Sequence, residues 1–136
     1  MASKAVMDAF DARLSANWTA TAIVPADRAS SGPADGAAYV TLEYPLARED
    51  QITIGAPGNN VFRETGVARL VLSAPSGQGS GQIAAWIDQL RAIFRGKQFS
   101  GVTTFAPSPG IENRSSYQRG RFVFSSAVPY YFDLFA

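Results

Sequence analysis

Three glycines at alternate positions, Gly77, Gly79 and Gly81, precede an apolar-periodic helix in the stretch APSGQGSG. Glycine-rich loops before helices often bind phosphate, because backbone N–H groups and the helix N-terminus attract anions. The Walker pattern requires Lys and Ser/Thr after its final glycine, whereas Gln82 and Ile83 follow here. A Rossmann fingerprint requires a different glycine spacing within a parallel βαβ unit. We therefore interpret the stretch as a strand-to-helix joint and expect no nucleotide cofactor.

Histidine and cysteine are absent from the chain. Their absence removes the usual zinc ligands, the usual triad base and thiolate chemistry. The carboxylates are scattered, and the adjacent pair Glu49–Asp50 falls in a region that favours a solvated turn. The sequence therefore offers no set of catalytic or metal-binding residues, and we expect a protein that is not an enzyme.

Length and composition predict one globular domain over residues 1–136. Hydrophobic residues make up 46% and charged residues 17% of the chain, which is typical of a folded protein. No apolar run approaches the length of about 20 residues that spans a bilayer, so we expect no membrane partner.

The net charge of +1 hides an asymmetry along the chain. Residues 1–90 carry six Lys/Arg and nine Asp/Glu, a net charge of −3. Residues 91–136 carry six Lys/Arg and two Asp/Glu, a net charge of +4. Such a separation suits nucleic-acid contact, charge-complementary packing between subunits, or uneven surface charge without a partner.

The hydrophobic pattern predicts two helices. The first covers residues 3–16, with Ser3 as its cap and Val6, Phe10 and Leu14 on one face. The second begins near Ser80 and is stopped by Gly96, with an apolar stripe formed by Ile83, Ile87, Leu90 and Phe94.

The remaining segments predict strands and turns. We expect a long loop over 17–37, strands over 38–45, 51–55 and 61–75, a turn at 56–60, an edge-type strand within 97–110, and two strands within 111–135 that break near 119–120. Pro45 is expected to end the first strand, and Gly66 is a candidate bulge in the third. This order predicts an α+β fold with a mainly antiparallel sheet of about five to six strands and both helices on one face.

The order and pattern of these segments resemble the tail terminator family of tailed bacteriophages, also called tail completion or tube-capping proteins. The resemblance rests on the strand YVTLEYP, the strand and small-residue turn VLSAPSGQGSG, the helix end LRAIFRGKQF and the C-terminal strand RFVFSSAVPYYFDLF. It covers nearly the whole chain but leaves the loop 17–37 without a family role.

The resemblance implies a structural virion protein without a cofactor. It implies a homo-oligomeric ring, typically a hexamer, that caps the tail tube, ends tube polymerisation and offers the head-attachment surface. The implied partners are the tail-tube protein and the head-to-tail connector, with DNA only as passing cargo. The implied location is the head-proximal end of the virion tail, after assembly in the cytoplasm of the bacterial host.

Two alternatives stay open. A head-to-tail connector or neck protein, from a phage or from a phage-derived particle such as a gene transfer agent, shares the size and setting. A small nucleic-acid-binding domain would use the basic segment ENRSSYQRGR and the aromatic segment VPYYFDLF.

The charge asymmetry also suggests how a ring would choose its register. Heterologous ring contacts join two different faces, and opposite charges on those faces disfavour wrong pairings. The candidate inter-subunit or tube contacts are Glu43, Glu49, Asp50 and Glu64 on one side and Arg114, Arg119 and Arg121 on the other.

Overall fold

The computed structural model describes residues 1–25, 36–75, 77, 79–113 and 120–136. In these ranges, helix α1 spans Lys4–Asn17 and helix α2 spans Ser80–Phe94, close to both predictions. Gly96 follows α2 with a left-handed φ of 56°, which confirms its role in stopping the helix. Ser3 precedes α1 as expected, but its side chain makes no capping hydrogen bond. None of the described helices is long and apolar enough to cross a membrane.

Seven strands form one sheet within the described part of the chain. The three long strands are β2, β3 and β7, and the full set is β1 (Ala22–Ile23), β2 (Tyr39–Gln51), β3 (Val61–Pro75), β4 (Gln98–Phe99), β5 (Val102–Thr104), β6 (Ile111–Asn113) and β7 (Arg121–Phe135). Their order is β1-β2-β3-β7-β5-β4, and β6 also pairs with β7. The β1–β2 pair is parallel and the other pairs are antiparallel, so the fold is α+β with a mixed, mainly antiparallel sheet.

Both helices pack on the same face of this sheet, as predicted. Leu70 and Leu72 alternate on β3 and are fully buried beneath the helices. On the helix side, the Phe10 ring lies 5.3 Å from the Phe94 ring and meets Tyr130 of β7 edge-to-face at 5.5 Å. The predicted apolar stripe of α2 is buried along its whole length. One core therefore joins α1, α2 and the centre of the sheet.

The first two predicted strands are one strand, so the prediction that Pro45 ends a strand is wrong. Strand β2 runs through Pro45, and the separate strand expected over 51–55 is not formed. The register shifts between Glu43 and Leu46, which leaves two residues of β2 opposite Ala68 of β3. Such a bulge tolerates proline, because the missing N–H falls where the ladder is already interrupted.

The bulge lies on β2 rather than at Gly66 of β3, where it was predicted. Gly66 is required for a different reason. A Cβ at this position would lie 2.3 Å from the Leu46 carbonyl oxygen and 2.9 Å from the Tyr130 hydroxyl. The backbones of β2 and β3 and the Tyr130 side chain converge here, so the position takes a residue without a side chain.

The segment 97–110 contains two short strands where one was expected. Strands β4 and β5 form a hairpin whose turn residues, Ser100 and Gly101, both have positive φ. Two consecutive positive φ values are typical of the tight turns that match strand twist. Similarly, the predicted loop 17–37 contains the short strand β1, while its residues 26–35 fall outside the described ranges.

Candidate assembly surfaces

The described glycines of the strand-to-helix joint lie in open space. A Cβ at Gly77, Gly79 or Gly81 would meet no atom within 4 Å. Gly79, at the N-cap position of α2, has a φ of 89° and thus needs glycine for its backbone conformation. Across the described ranges, no group of three or more carboxylates is arranged to hold a metal ion.

The predicted acidic contact residues occupy three different environments. Glu43 forms an ion pair with Arg69 on the neighbouring strand, and Asp50 accepts a hydrogen bond from Arg48 at 3.0 Å. The side chain of Glu49 is exposed. Glu49 and Asp50 therefore lie on the surface of the distal half of β2.

Glu64 differs from the other acidic candidates because only 7% of it is exposed. Its carboxylate accepts a hydrogen bond from the Tyr130 hydroxyl at 2.7 Å and one from the Ser3 backbone N–H at 3.2 Å. The carboxylate is committed within the subunit, so Glu64 is not available as a surface contact in the folded monomer. The Glu64 side chain can be buried because its carboxylate is hydrogen-bonded. The sequence alone gives no signal of this burial.

Of the basic candidates, Arg121 is described and Arg114 and Arg119 lie outside the described residues. The Arg121 guanidinium donates to the Ser73 hydroxyl at 2.8 Å and to the Gly36 carbonyl at 2.7 Å. It also stacks 5.4 Å from the Tyr39 ring centroid. Arg121 thus braces the start of β7 against β2 and β3.

Neither helix packs on the opposite face of the sheet, which we call the open sheet face. Its half-buried residues at the centre are Thr65, Val67, Val71, Ala127, Pro129 and Tyr131. Near one end, Arg63 donates two hydrogen bonds to Asp133, at 2.7 and 2.9 Å, and lies 4.5 Å from the Tyr131 ring centroid. This pairing lowers the pKa of the Asp133 carboxyl below its usual value of 3.8.

The three long strands end together beyond the contact between Ser3 and Glu64, and we call this end, which carries several exposed apolar side chains on both faces of the sheet, the apolar tip. The β7 terminus is held there by two backbone hydrogen bonds of 2.9 Å between Asn60 and Ala136. The exposed fractions are 51% for Ile52, 85% for Ile54, 47% for Leu134 and 67% for Phe135. Sequence reasoning missed the exposure of these residues because the alternating Ile52 and Ile54 resemble a half-buried strand.

A groove of about 580 Å³ lies between α1, β2 and the β1 segment that pairs with β2, and we call it the α1–β2 groove. Its apolar lining includes Met7, Ile23 and Leu42. Its polar lining includes Asp11 and Tyr44. The Tyr44 hydroxyl donates a hydrogen bond of 3.4 Å to the Asp11 carboxylate. Partial burial raises the pKa of Asp11 above its usual value of 3.8, and burial beside that carboxylate raises the pKa of Tyr44. Glu43 also lines the groove, which is therefore a mainly apolar cleft that contains two carboxylates.

Comparison with known proteins gives one family match. The model of a family described as phage tail terminator protein matches residues 5–119. The matched region contains α1, α2 and the strands β1 to β6. No curated protein sequence matches the chain significantly. Because the family match spans most of the chain, the protein belongs to the phage tail terminator proteins, structural components that complete the virion tail.

Proposed function

We propose that this protein assembles as a hexameric ring on the last ring of tail-tube subunits. There it ends tube polymerisation and presents the surface to which the head attaches through its connector. The proposed position is the head-proximal end of the tail, reached by assembly in the cytoplasm of the bacterial host. Membership of the tail terminator family over residues 5–119 carries the proposal.

The surfaces of the subunit support a ring. Contacts in a ring are heterologous, so one subunit must present two unlike faces. This chain presents a half-buried open sheet face, an exposed apolar tip and a mainly apolar groove at separate places. Apolar surfaces that stay exposed in a monomer are candidates for interaction sites.

Charge has a smaller role in this proposal. Glu49 and Asp50 remain available on the acidic side, and Arg114 and Arg119 are their proposed basic partners in the next subunit or in the tube. Exposed ion pairs contribute only about 0–1 kcal/mol each. Apolar contact must therefore supply most of the affinity, while the charges fix register.

Tube capping can be tested with purified components. Preformed tubes of the tail-tube protein are incubated with this protein and then supplied with fresh tube subunits. We expect electron microscopy to show a ring at one end of each tube and no further growth at that end. Unchanged growth would contradict tube capping. Binding to connector-bearing heads, without binding to tube ends, would support the connector role instead.

A further inference from the structure

We propose that the C-terminal end of α2 binds the phosphate backbone of double-stranded DNA through three cationic side chains, Arg13, Arg95 and Lys97. We call these three residues the α2-end cations. The contact is independent of base sequence. It goes beyond the proposed capping function, in which DNA is only passing cargo, and it needs only the folded subunit.

The α2-end cations come from two parts of the chain that the fold brings together. Arg13 lies on α1, and its Nε donates a hydrogen bond of 2.7 Å to the Ile93 carbonyl oxygen in the last turn of α2. Arg95 and Lys97 flank Gly96, which stops α2. Two residues of extended chain span at most about 7 Å, so the backbones of Arg95 and Lys97 lie close together. The three positive charges therefore surround one helix end.

The backbone that carries Arg95 and Lys97 is fixed by the buried residue Thr104. The Thr104 hydroxyl donates to the Phe94 carbonyl oxygen at 2.5 Å and accepts the Lys97 N–H at 3.0 Å. The Thr104 backbone N–H donates to the Lys97 carbonyl oxygen at 2.8 Å. Because this segment is already ordered, binding of a ligand costs little backbone entropy.

The charges of the α2-end cations are not neutralised by carboxylates in the described part of the chain. The range 89–111 contains three cationic residues and no acidic residue. Arg95 and Lys97 are exposed, and the two terminal nitrogens of Arg13 form no hydrogen bond with a described residue. The described ion pairs use other cations, namely Lys4, Arg48, Arg63, Arg69 and Arg91. The C-terminal dipole of α2, equivalent to about half a negative charge, offsets only part of the three positive charges.

The composition of this surface favours nucleic acid over a protein partner. Among the described residues, no exposed large apolar side chain lies between positions 91 and 101. A protein interface has an apolar centre, whereas a DNA interface is more polar and much more positive. The exposed side chains beside the cations, Gln98 and Ser100, are polar and can donate to phosphate oxygens.

The same surface favours phosphates over bases. Unpaired bases stack on exposed aromatic rings. Phe99, the aromatic residue beside the α2-end cations, packs against Phe10 and Phe94, and the Arg13 guanidinium lies over its ring, 5.2 Å from the centroid. A DNA duplex carries one negative charge per about 1.7 Å of its axis, so three cations at one helix end can contact neighbouring phosphates at the same time. Nonspecific binding to duplex DNA is therefore expected.

Fluorescence anisotropy with a short labelled duplex tests the contact over a series of salt concentrations. We expect saturable binding at low salt. The slope of log K against log salt should be about −3 or steeper, because each neutralised phosphate contributes about −0.9. Two duplexes of different sequence should bind equally. Absence of binding at low salt, or a slope near zero, would overturn the contact.

Variants locate the contact on the subunit. Arg95→Ala and Lys97→Ala should each make the salt slope shallower by about 1, and Arg95→Glu with Lys97→Glu should weaken binding about tenfold or more. The matched control Arg48→Ala removes an exposed cation that is already paired with Asp50, and it should leave binding unchanged. Circular dichroism establishes that the variants are folded. Equal losses in Arg48→Ala and Arg95→Ala would show that binding follows net charge alone and would overturn the contact.

A further variant tests the competing basic segment. Arg114→Ala with Arg119→Ala should leave DNA binding unchanged. If that variant loses binding while Arg95→Glu with Lys97→Glu keeps it, the contact lies in the basic segment and the proposal is wrong.

The outcomes separate this contact from the proposed function. A wild-type protein that caps tubes without binding DNA would overturn the contact and leave the proposed function standing. DNA binding that depends on Arg95 and Lys97, without capping of tubes, would support the contact and contradict the proposed function. If Arg95→Glu with Lys97→Glu binds DNA normally but no longer caps tubes, these cations contact a protein partner and the DNA contact is overturned.

Discussion

The Tyr130 hydroxyl on β7 donates a hydrogen bond of 2.7 Å to the buried carboxylate of Glu64 on β3. The same carboxylate accepts the Ser3 backbone N–H immediately before α1. One acidic side chain thus joins the sheet to the beginning of the first helix. Because Glu64 is only 7% exposed, water cannot replace a lost donor fully.

Removal of the Tyr130 hydroxyl should therefore destabilise the fold. We expect Tyr130→Phe to lower the free energy of unfolding by about 1–3 kcal/mol, since it leaves a buried acceptor with one donor fewer. Urea unfolding followed by fluorescence measures the change. Tyr131→Phe, on the opposite face of β7, should change stability by less than about 0.5 kcal/mol. Equal losses in both variants would contradict the role given to the Glu64 carboxylate.

The buried stripe of α2 should be sensitive to truncation. Leu90 is fully buried, so Leu90→Ala should cost about 2–5 kcal/mol through lost contacts and a residual cavity. Gln89→Ala, at an exposed position on the same helix, is the matched control and should stay within about 0.5 kcal/mol. A loss below about 1 kcal/mol for Leu90→Ala would show that the stripe is not core.

The two glycines Gly66 and Gly81 should respond to alanine in opposite directions. Gly66→Ala places a Cβ 2.3 Å from the Leu46 carbonyl oxygen, which forces β2 and β3 apart and should cost about 1–3 kcal/mol or more. Gly81→Ala, in open space within α2, should stabilise the protein by up to about 1 kcal/mol. Thermal unfolding of both variants compares the effects, and a neutral Gly66→Ala would refute the close approach.

The Arg63–Asp133 pair should contribute to the acid sensitivity of the fold. Because Arg63 lowers the folded-state pKa of Asp133 below 3.8, this carboxyl stabilises the protein above that value. The contribution is lost as the pH falls through the lowered pKa. The difference in unfolding free energy between wild type and Asp133→Asn should therefore shrink as the pH falls from about 6 to about 3.

Asp11 provides a control of opposite sign. Burial raises its folded-state pKa above 3.8, so its charged form disfavours folding above that value. This penalty disappears as the pH falls below 3.8. The pH-dependent difference between wild type and Asp11→Asn should therefore change in the opposite direction. Parallel curves for the two variants would contradict the assigned environments.

Periodic hydrophobicity was enough to predict both helices and strand β3. The stripe of α2 and the alternation of Leu70 and Leu72 arise from burial on one face, which a sequence reports directly. The continuation of β2 through Pro45 was not predictable in this way. It depends on a register shift against β3, and local proline chemistry favours a strand end instead.

The sequence identified the candidate contact residues by their charge but not by their surroundings in the fold. The sequence could not show that Glu64 is buried under Tyr130 or that Arg121 is bound to Ser73 and Gly36, because those partners are distant in the chain. The sequence also did not predict the apolar tip. Its exposure depends on the distal strands extending past the contact between Ser3 and Glu64, a tertiary relationship without a local pattern.

Tail length in cells that produce the particle tests the proposed function most directly. The gene for this protein is inactivated and then restored from a plasmid, and tail lengths are measured by electron microscopy of the lysates. Loss of the protein should give tubes of variable, excessive length without attached heads, and restoration should return one uniform length with heads attached. Tails of normal length joined to heads in the absence of the protein would contradict its role as the terminator of the tube.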